Sequence, residues 1–111
     1  MKLNHRKIDS IDLVEISGRL VMANAPEARR QLKSIVEQGS GKLIVDLSDV
    51  GFMDSSGLSV LISAFKQARA VKGDVVLLNP SPTVQTLIEL TRMQQVFDIV
   101  DDEAAAVARF G

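Results

Sequence analysis

The sequence predicts a single α/β domain in which helices cover a mixed, mostly parallel β-sheet. Predicted strands and helices alternate along the chain from residue 24 onward, which is the pattern of parallel strands joined by helical crossovers. Several of these strands are apolar at consecutive positions, as strands buried on both faces are. Near the start, Lys2–Ile8 and Leu13–Ile16 flank the turn-type segment Asp9-Ser10-Ile11-Asp12, which predicts an antiparallel hairpin. The predicted order is therefore ββαβαβαβα.

The elements after the hairpin are predicted from their periodicity and from the residues at their ends. Ser17–Leu20 interrupts the strand pattern. A helix is then predicted from Asn24, with Asn24 or Ala25 as its cap and Pro26 in its first turn. The remaining predicted elements, in chain order, are the end of that helix at Gly39–Gly41, a buried strand Lys42–Leu47, a loop Ser48–Phe52, a helix Ser56–Lys72 closed by Gly73, a strand Asp74–Leu78, a helix capped by Ser81, a strand Val96–Val100 and a helix Ala104–Arg109. A chain of 111 residues suffices for one core, so we expect residues 1–111 to form one domain.

Composition excludes several classes of function. The chain has no cysteine, which rules out disulfides and thiolate sites, and its only histidine, His5, is a poor candidate for a metal ligand or a catalytic base. Thirteen basic residues against fourteen acidic ones give a net charge of -1, which argues against a nucleic-acid partner. No apolar run approaches the roughly 18 residues that span a bilayer, and no signal peptide is evident. We therefore expect a cytoplasmic protein with no metal, no cofactor and no membrane insertion.

The informative segment is Asp54-Ser55-Ser56-Gly57, which follows a buried strand and opens the second helix. In open α/β sheets, ligands and modifications gather beyond the carboxyl ends of the strands. A helix start also presents unpaired N–H groups and a partial positive charge, so a phosphoryl group is tolerated there. The same residues equally form a good capping sequence, because Asp and Ser side chains accept hydrogen bonds from first-turn N–H groups. From the residues alone, both interpretations stay open.

The string Phe52-Met53-Asp54-Ser55-Ser56-Gly57-Leu58 lies within Val45–Leu61, a segment that resembles the core motif of the STAS family. This family is named for sulfate transporters and anti-sigma-factor antagonists, and the chain is most similar to its free-standing bacterial antagonists. The resemblance covers nearly the whole chain and includes Gly18-Arg19-Leu20, Asp46-Leu47, Gly73 with its strand, Ser81-Pro82-Thr83-Val84 and Val96-Phe97-Asp98-Ile99. It implies a single-domain STAS fold.

The resemblance also implies a partner switch. In such antagonists the unmodified protein binds an anti-sigma factor that is also a serine kinase, and this binding releases the sigma factor. The kinase phosphorylates the first serine of the pair, which corresponds to Ser55, and the phosphorylated form no longer binds. A serine phosphatase restores the unmodified form, and the family favours a monomer.

Two neighbouring regions become the expected partner surface once the family is considered. The first is the start and the polar face of the second helix, and the second is the loop Ser17–Asn24. Without the family, that helix face would be interpreted as merely solvated. The residues expected to contact the partner are Asp54, Ser56, Gly57, Ser59, Ser63 and Lys66 on the helix side, and Val21, Met22 and Asn24 on the loop side.

One position departs from the family pattern. Antagonists of this type often carry an acidic residue after Gly-x-Leu, whereas this chain has Val21 followed by Met22. The apolar pair either marks a different partner or serves as a hydrophobic staple for the first helix.

Alternative functions are less well supported by the residues. A response-regulator receiver that uses Asp54 would need an acidic pair after the first strand and a lysine after a later one, and the sequence supplies neither. A hydrolase that uses Ser55 would need a base, and His5 is poorly placed for that role. We therefore expect no enzymatic activity. A STAS subunit that regulates a membrane transporter or a stress-signalling complex is the alternative within the same fold.

Overall fold

The computed structural model describes residues 1–111 and contains five strands and four α-helices. The strands are β1 (Lys2–Ile8), β2 (Ile11–Leu20), β3 (Lys42–Met53), β4 (Asp74–Leu78) and β5 (Asp98–Val100), and the helices are α1 (Ala25–Gln38), α2 (Ser55–Ala70), α3 (Pro82–Leu90) and α4 (Glu103–Ala108). A single 3-10 turn, Met93–Gln95, precedes β5. The predicted ββαβαβαβα order is confirmed.

The strands form one sheet in the order β1-β2-β3-β4-β5. The β1 and β2 strands pair antiparallel through the predicted hairpin, and every later pair is parallel. Because parallel neighbours need a crossover connection, a helix lies between each of these pairs along the chain. The sheet is therefore mixed and mostly parallel, as predicted.

The helices are divided unequally between the two faces of the sheet. Leu43 and Val45 of β3 pack in the larger apolar cluster with buried residues of α1, α2 and α3, whereas Ile44 between them packs in a smaller cluster with Ala106 of α4. Successive side chains of a strand point to opposite faces, so an uninterrupted apolar run is what a doubly covered strand requires. None of the four helices combines the length and the apolar character needed to cross a bilayer.

Strands β2 and β3 are longer than the sequence predicts. Ser17–Leu20 and Ser48–Phe52, both predicted as irregular, continue these strands and pair with each other through Arg19↔Phe52 and Leu20↔Met53, with two register shifts. Neither β1 nor β4 extends this far, so Gly18–Leu20 and Val50–Met53 form a two-stranded extension of the sheet. Because of this extension, β2 and β3 end next to the segment Asp54–Gly57.

Other predicted ends shift by one or two residues. Helix α2 begins at Ser55 and ends at Ala70, not at Ser56 and Lys72, and the last strand begins at Asp98, not at Val96. Val96 and Phe97 instead form an irregular segment after the 3-10 turn, and the Phe97 side chain lies in the core. The predicted Ser81 cap is confirmed, because its hydroxyl accepts a hydrogen bond from the Val84 N–H.

Candidate functional site

The segments that leave β2 and β3 lie side by side, because these two strands are parallel neighbours. The β2–α1 turn, Val21–Asn24, therefore lies beside Asp54, which joins β3 to α2. The loop and the start of α2, which the sequence predicts as two separate regions of the partner surface, thus form one continuous surface at the carboxyl edge of the sheet.

Asp54 holds these two segments together. Its Oδ1 accepts hydrogen bonds from the N–H groups of Ser56 (2.9 Å) and Gly57 (3.1 Å), and its Oδ2 accepts one from Met22 (3.2 Å). The hydrogen bonds from Gly57, Met22 and Ser56 favour the charged form and hold the pKa of the Asp54 carboxyl below its ordinary value. Asp54 is therefore the cap of α2, and it also clamps the β2–α1 turn onto that helix.

Replacing Asp54 with Ala should lower the Tm by about 4–8 °C, the usual effect of losing a cap in a domain of this size. Asp54→Asn is the matched control, because its amide oxygen can still cap the helix without the negative charge. The folded-state pKa lies below the unfolded-state one, so the carboxylate stabilises the fold fully above the unfolded-state value. That stabilisation is lost as the pH falls through the folded-state value.

Thermal unfolding followed by circular dichroism from pH 7 to pH 2 measures both effects. We expect the Tm difference between wild type and Asp54→Asn to shrink as the pH falls below about 4. A difference that stays constant down to pH 2 would show that the charge of Asp54 contributes nothing.

Ser55 and Ser56 occupy the first turn of α2 but do not cap it. Ser55 is exposed and Ser56 is half-buried, and both follow Asp54, whose side chain makes the capping hydrogen bonds. The capping interpretation of the motif therefore applies to Asp54. The hydroxyl of Ser55 is left at the surface without that structural role.

The β2–α1 turn is fixed by Asn24. The side chain of Asn24 accepts a hydrogen bond from the Val21 N–H (2.9 Å) and donates one to the Arg19 carbonyl (2.8 Å), so it closes the turn instead of capping α1. Met22 is 74% exposed at the tip of the turn, so the staple interpretation is wrong for this side chain. An exposed methionine beside Ser55 is instead available for contact with another molecule.

Gly57 lies beneath the surface, not on it. It is buried against the end of β2, where an added Cβ would lie 2.6 Å from the Met53 Cγ and collide with the Leu20 carbonyl oxygen. Its expected contact with a partner stays a prediction. The absence of a side chain at Gly57 lets the first turn of α2 approach β2 closely.

Three of the expected partner residues, Ser59, Ser63 and Lys66, follow one another along α2 at spacings of four and three residues. Residues at these spacings lie on the same side of a helix. Ser59 and Lys66 are exposed, and Ser63 is half-buried. This stripe begins next to the first turn of α2 and leads away from it, so these residues extend the surface around Ser55.

One further residue at this surface could not be identified from the sequence. Arg29 of α1 donates a hydrogen bond to the Ser59 hydroxyl (3.3 Å). Arg29 lines a shallow groove of about 360 Å³ between α1 and α2. The groove is lined by Met22, Ala25, Pro26, Arg29, Ser55, Ser56 and Ser59. Arg29 follows the buried Ala25 and Ala28 of α1 by four residues and by one residue. This spacing is the one sequence signal that places Arg29 at the margin of the buried face of the helix.

These features define a small α/β domain with an exposed hydroxyl at the start of a helix beside the carboxyl edge of a mixed sheet. Residues 2–106 match the model of the STAS domain family. The chain therefore belongs to the STAS domain family, as its resemblance implies.

The chain is similar to bacterial proteins over most of their length. It is 31% identical to BtrV of Bordetella bronchiseptica over 110 residues, which cover 99% of this chain and 95% of BtrV. It is 35% identical to the anti-sigma-B factor antagonist of Bacillus subtilis over 86 residues, 78% of each chain.

Solved structures share the fold. The crystal structure of an anti-sigma factor antagonist from Mycobacterium paratuberculosis matches with a TM-score of 0.88 and 23% identity, covering 97% of this chain and 92% of the other. The anti-sigma factor antagonist SpoIIAA in its unphosphorylated form matches with a TM-score of 0.76 and 22% identity, covering 98% and 97%. The Bacillus SpoIIAA has also been solved in its phosphorylated form.

Proposed function

We propose that the chain is an anti-sigma-factor antagonist that acts by partner switching. The unmodified protein binds an anti-sigma factor with serine kinase activity and thereby frees the sigma factor, and phosphorylation of Ser55 blocks this binding. A serine phosphatase reverses the modification. In this proposal the chain acts in the cytoplasm as a monomer and has no catalytic activity of its own.

The observation that carries the proposal is the position of Ser55. Its hydroxyl is exposed, free of the capping role that Asp54 fills, and lies beside the groove that separates α1 from α2. The exposed side chain of Met22 lines the same groove and offers apolar contact area. The relatives named as antagonists of anti-sigma factors support the same class of partner for this chain.

The electrostatics of the site support a switch driven by charge. Phosphorylation adds about -1.5 to -2 charge at neutral pH. The carboxylate of the neighbouring Asp54 is held in its charged form, so the two anions would lie side by side. The helix dipole offsets part of that repulsion within the protein, so the fold survives. A partner surface fitted to a neutral hydroxyl would instead have to accommodate a solvated dianion, which disfavours the complex.

Incubating the chain with an anti-sigma serine kinase from the same genome, ATP and Mg²⁺ should add one phosphate, at Ser55. Intact-mass and peptide mass spectrometry measure the number of phosphates and their position. Ser55→Ala should abolish the modification, whereas Ser56→Ala should retain it and serves as the matched control. A phosphate found at Ser56, or none with any such kinase, contradicts the proposed switch.

Affinity purification of the unmodified chain distinguishes the proposal from the transporter and stress-complex alternatives. We expect an anti-sigma kinase to be the partner recovered with the wild type and lost with Ser55→Asp. Recovery of a membrane transporter instead would favour the alternative.

A further inference from the structure

We propose that Arg29 binds the phosphate of phosphorylated Ser55 across the groove between α1 and α2. The inference rests on the proposed phosphorylation of Ser55 and adds a residue that responds to it. In the unmodified protein, Arg29 donates to the Ser59 hydroxyl, and in the phosphorylated protein it exchanges this partner for the phosphate.

The positive charge of Arg29 is not compensated by any carboxylate in the unmodified protein. Its guanidinium forms no ion pair, whereas the next residue, Arg30, pairs with Glu27 (2.5 Å) on another side of α1. The only side-chain hydrogen bond of Arg29 goes to a neutral hydroxyl. The Arg29–Ser59 hydrogen bond carries charge on its donor only, whereas an arginine–phosphate contact carries charge on both groups and is frequently bidentate, so a phosphate within reach outcompetes Ser59.

Ser55 lies within reach of the Arg29 side chain. Arg29 and Ser55 both line the groove, and the Arg29 Nη2 is already 3.3 Å from the Ser59 Oγ. Ser55 and Ser59 are four residues apart on α2, so their Cβ atoms are about 5–6 Å apart on one side of the helix. A phosphoryl group on Ser55 extends beyond the hydroxyl, and a change of Arg29 rotamer closes the remaining gap.

Arg29 has no competing anion in the groove. Asp54 does not line it, and its carboxylate accepts hydrogen bonds from three backbone N–H groups and none from Arg29. The groove is open and carries no other cationic side chain. Arg29 is therefore the cation that the groove provides for a dianion at Ser55.

The consequence is that phosphorylation changes two features of the partner surface. It places a dianion where the hydroxyl was, and it withdraws a free guanidinium by pairing it with that dianion. The ion pair also links α1 to α2 across the groove that the two helices form. A partner that uses the groove thus loses both the hydroxyl and the arginine in one step.

The test uses the full chain with phosphoserine installed at position 55 during translation by amber suppression. Titration followed by ³¹P NMR gives the second pKa of the phosphate, which is about 6 for a free phosphoserine. We expect this pKa to be about 0.5 lower in wild type than in Arg29→Gln, because a nearby guanidinium favours the dianion. Arg30→Gln removes the same charge one residue away, and we expect it to leave the pKa close to that of wild type.

Equal pKa values in wild type and Arg29→Gln would overturn the proposal, and so would equal changes in Arg29→Gln and Arg30→Gln. Arg29→Lys tests for an arginine-specific bidentate contact and should recover only part of the shift. An amide ¹H–¹⁵N spectrum that stays native away from the groove shows that each variant is folded. The phosphoserine is installed without a kinase, so the two proposals are tested separately. Equal pKa values would overturn the role of Arg29 but not the phosphorylation of Ser55 by a kinase. Absence of phosphorylation by a kinase would not affect the pKa measurement.

Discussion

Ser55→Asp should weaken binding of the anti-sigma kinase by about 100-fold. A negative charge at this position would face a partner surface fitted to a neutral hydroxyl, and a mismatched charge in an interface costs several kcal/mol. Since each 1.4 kcal/mol is tenfold in affinity, a cost of about 3 kcal/mol gives the expected loss. The variant should remain folded, because an acidic residue in the first turn interacts favourably with the helix dipole. Isothermal titration calorimetry with the purified kinase measures the affinity.

Two matched variants separate the charge from other effects of the substitution. Ser55→Ala removes the hydroxyl without adding charge and should keep binding within a few-fold, and it should unfold close to the wild-type Tm because Asp54 supplies the cap. Ser10→Asp adds the same charge to the exposed turn between β1 and β2, at the opposite end of the sheet, and should bind like wild type. If Ser55→Asp bound as tightly as Ser10→Asp, exclusion by charge would be wrong.

Gly57→Ala should lower the free energy of unfolding by about 2 kcal/mol, although Ala is the better helix former. Ala is favoured over Gly in a helix by about 1 kcal/mol, so propensity alone predicts stabilisation. The new Cβ would meet the Met53 side chain and the Leu20 backbone carbonyl, and backbone cannot move aside as a flexible side chain can. Overpacking of this kind typically costs 1–3 kcal/mol and sometimes more.

Urea unfolding followed by circular dichroism measures this change in a chain that has no Trp. Gly51→Ala is the matched control, because a Cβ at Gly51 has no neighbour within 4 Å. It should change the stability by no more than about 0.5 kcal/mol. If Gly57→Ala were as stable as Gly51→Ala, the close approach of α2 to β2 would not require a glycine.

Kinase binding by Gly57→Ala should also weaken, because the first turn of α2 has to shift away from β2.

The order of the elements could be predicted from sequence because it depends on local patterns. The apolar run of β3 and the proline at the start of α3 each identify their element without reference to the rest of the chain. The two-stranded extension could not be predicted this way. Ser48, Asp49, Gly51 and Phe52 are exposed, so they lack the burial pattern of a strand, and they become one only because Ser17–Leu20 lies alongside.

The contiguous part of the site could likewise be predicted from sequence, whereas the part that depends on tertiary packing could not. The Asp54–Gly57 segment is contiguous, so its residue types alone mark it as a helix start. Arg29 is 26 residues earlier in the chain than Ser55, and only the packing of α1 against α2 brings them to one groove. The role of Asn24 was assigned wrongly because its spacing fits a helix cap equally well, whereas its side chain turns back toward Arg19.

The two edges of the sheet discourage the addition of further strands. On one side, β1 has three charged residues among its seven, Lys2, Arg6 and Lys7, and charged side chains on an edge strand oppose pairing with another sheet. On the other side, β5 is only three residues long, which leaves little backbone for a new strand to bond. Copies of this chain therefore have little tendency to join edge to edge into larger sheets. Contact with other proteins is left to side-chain surfaces, and the groove beside Ser55 is one of these.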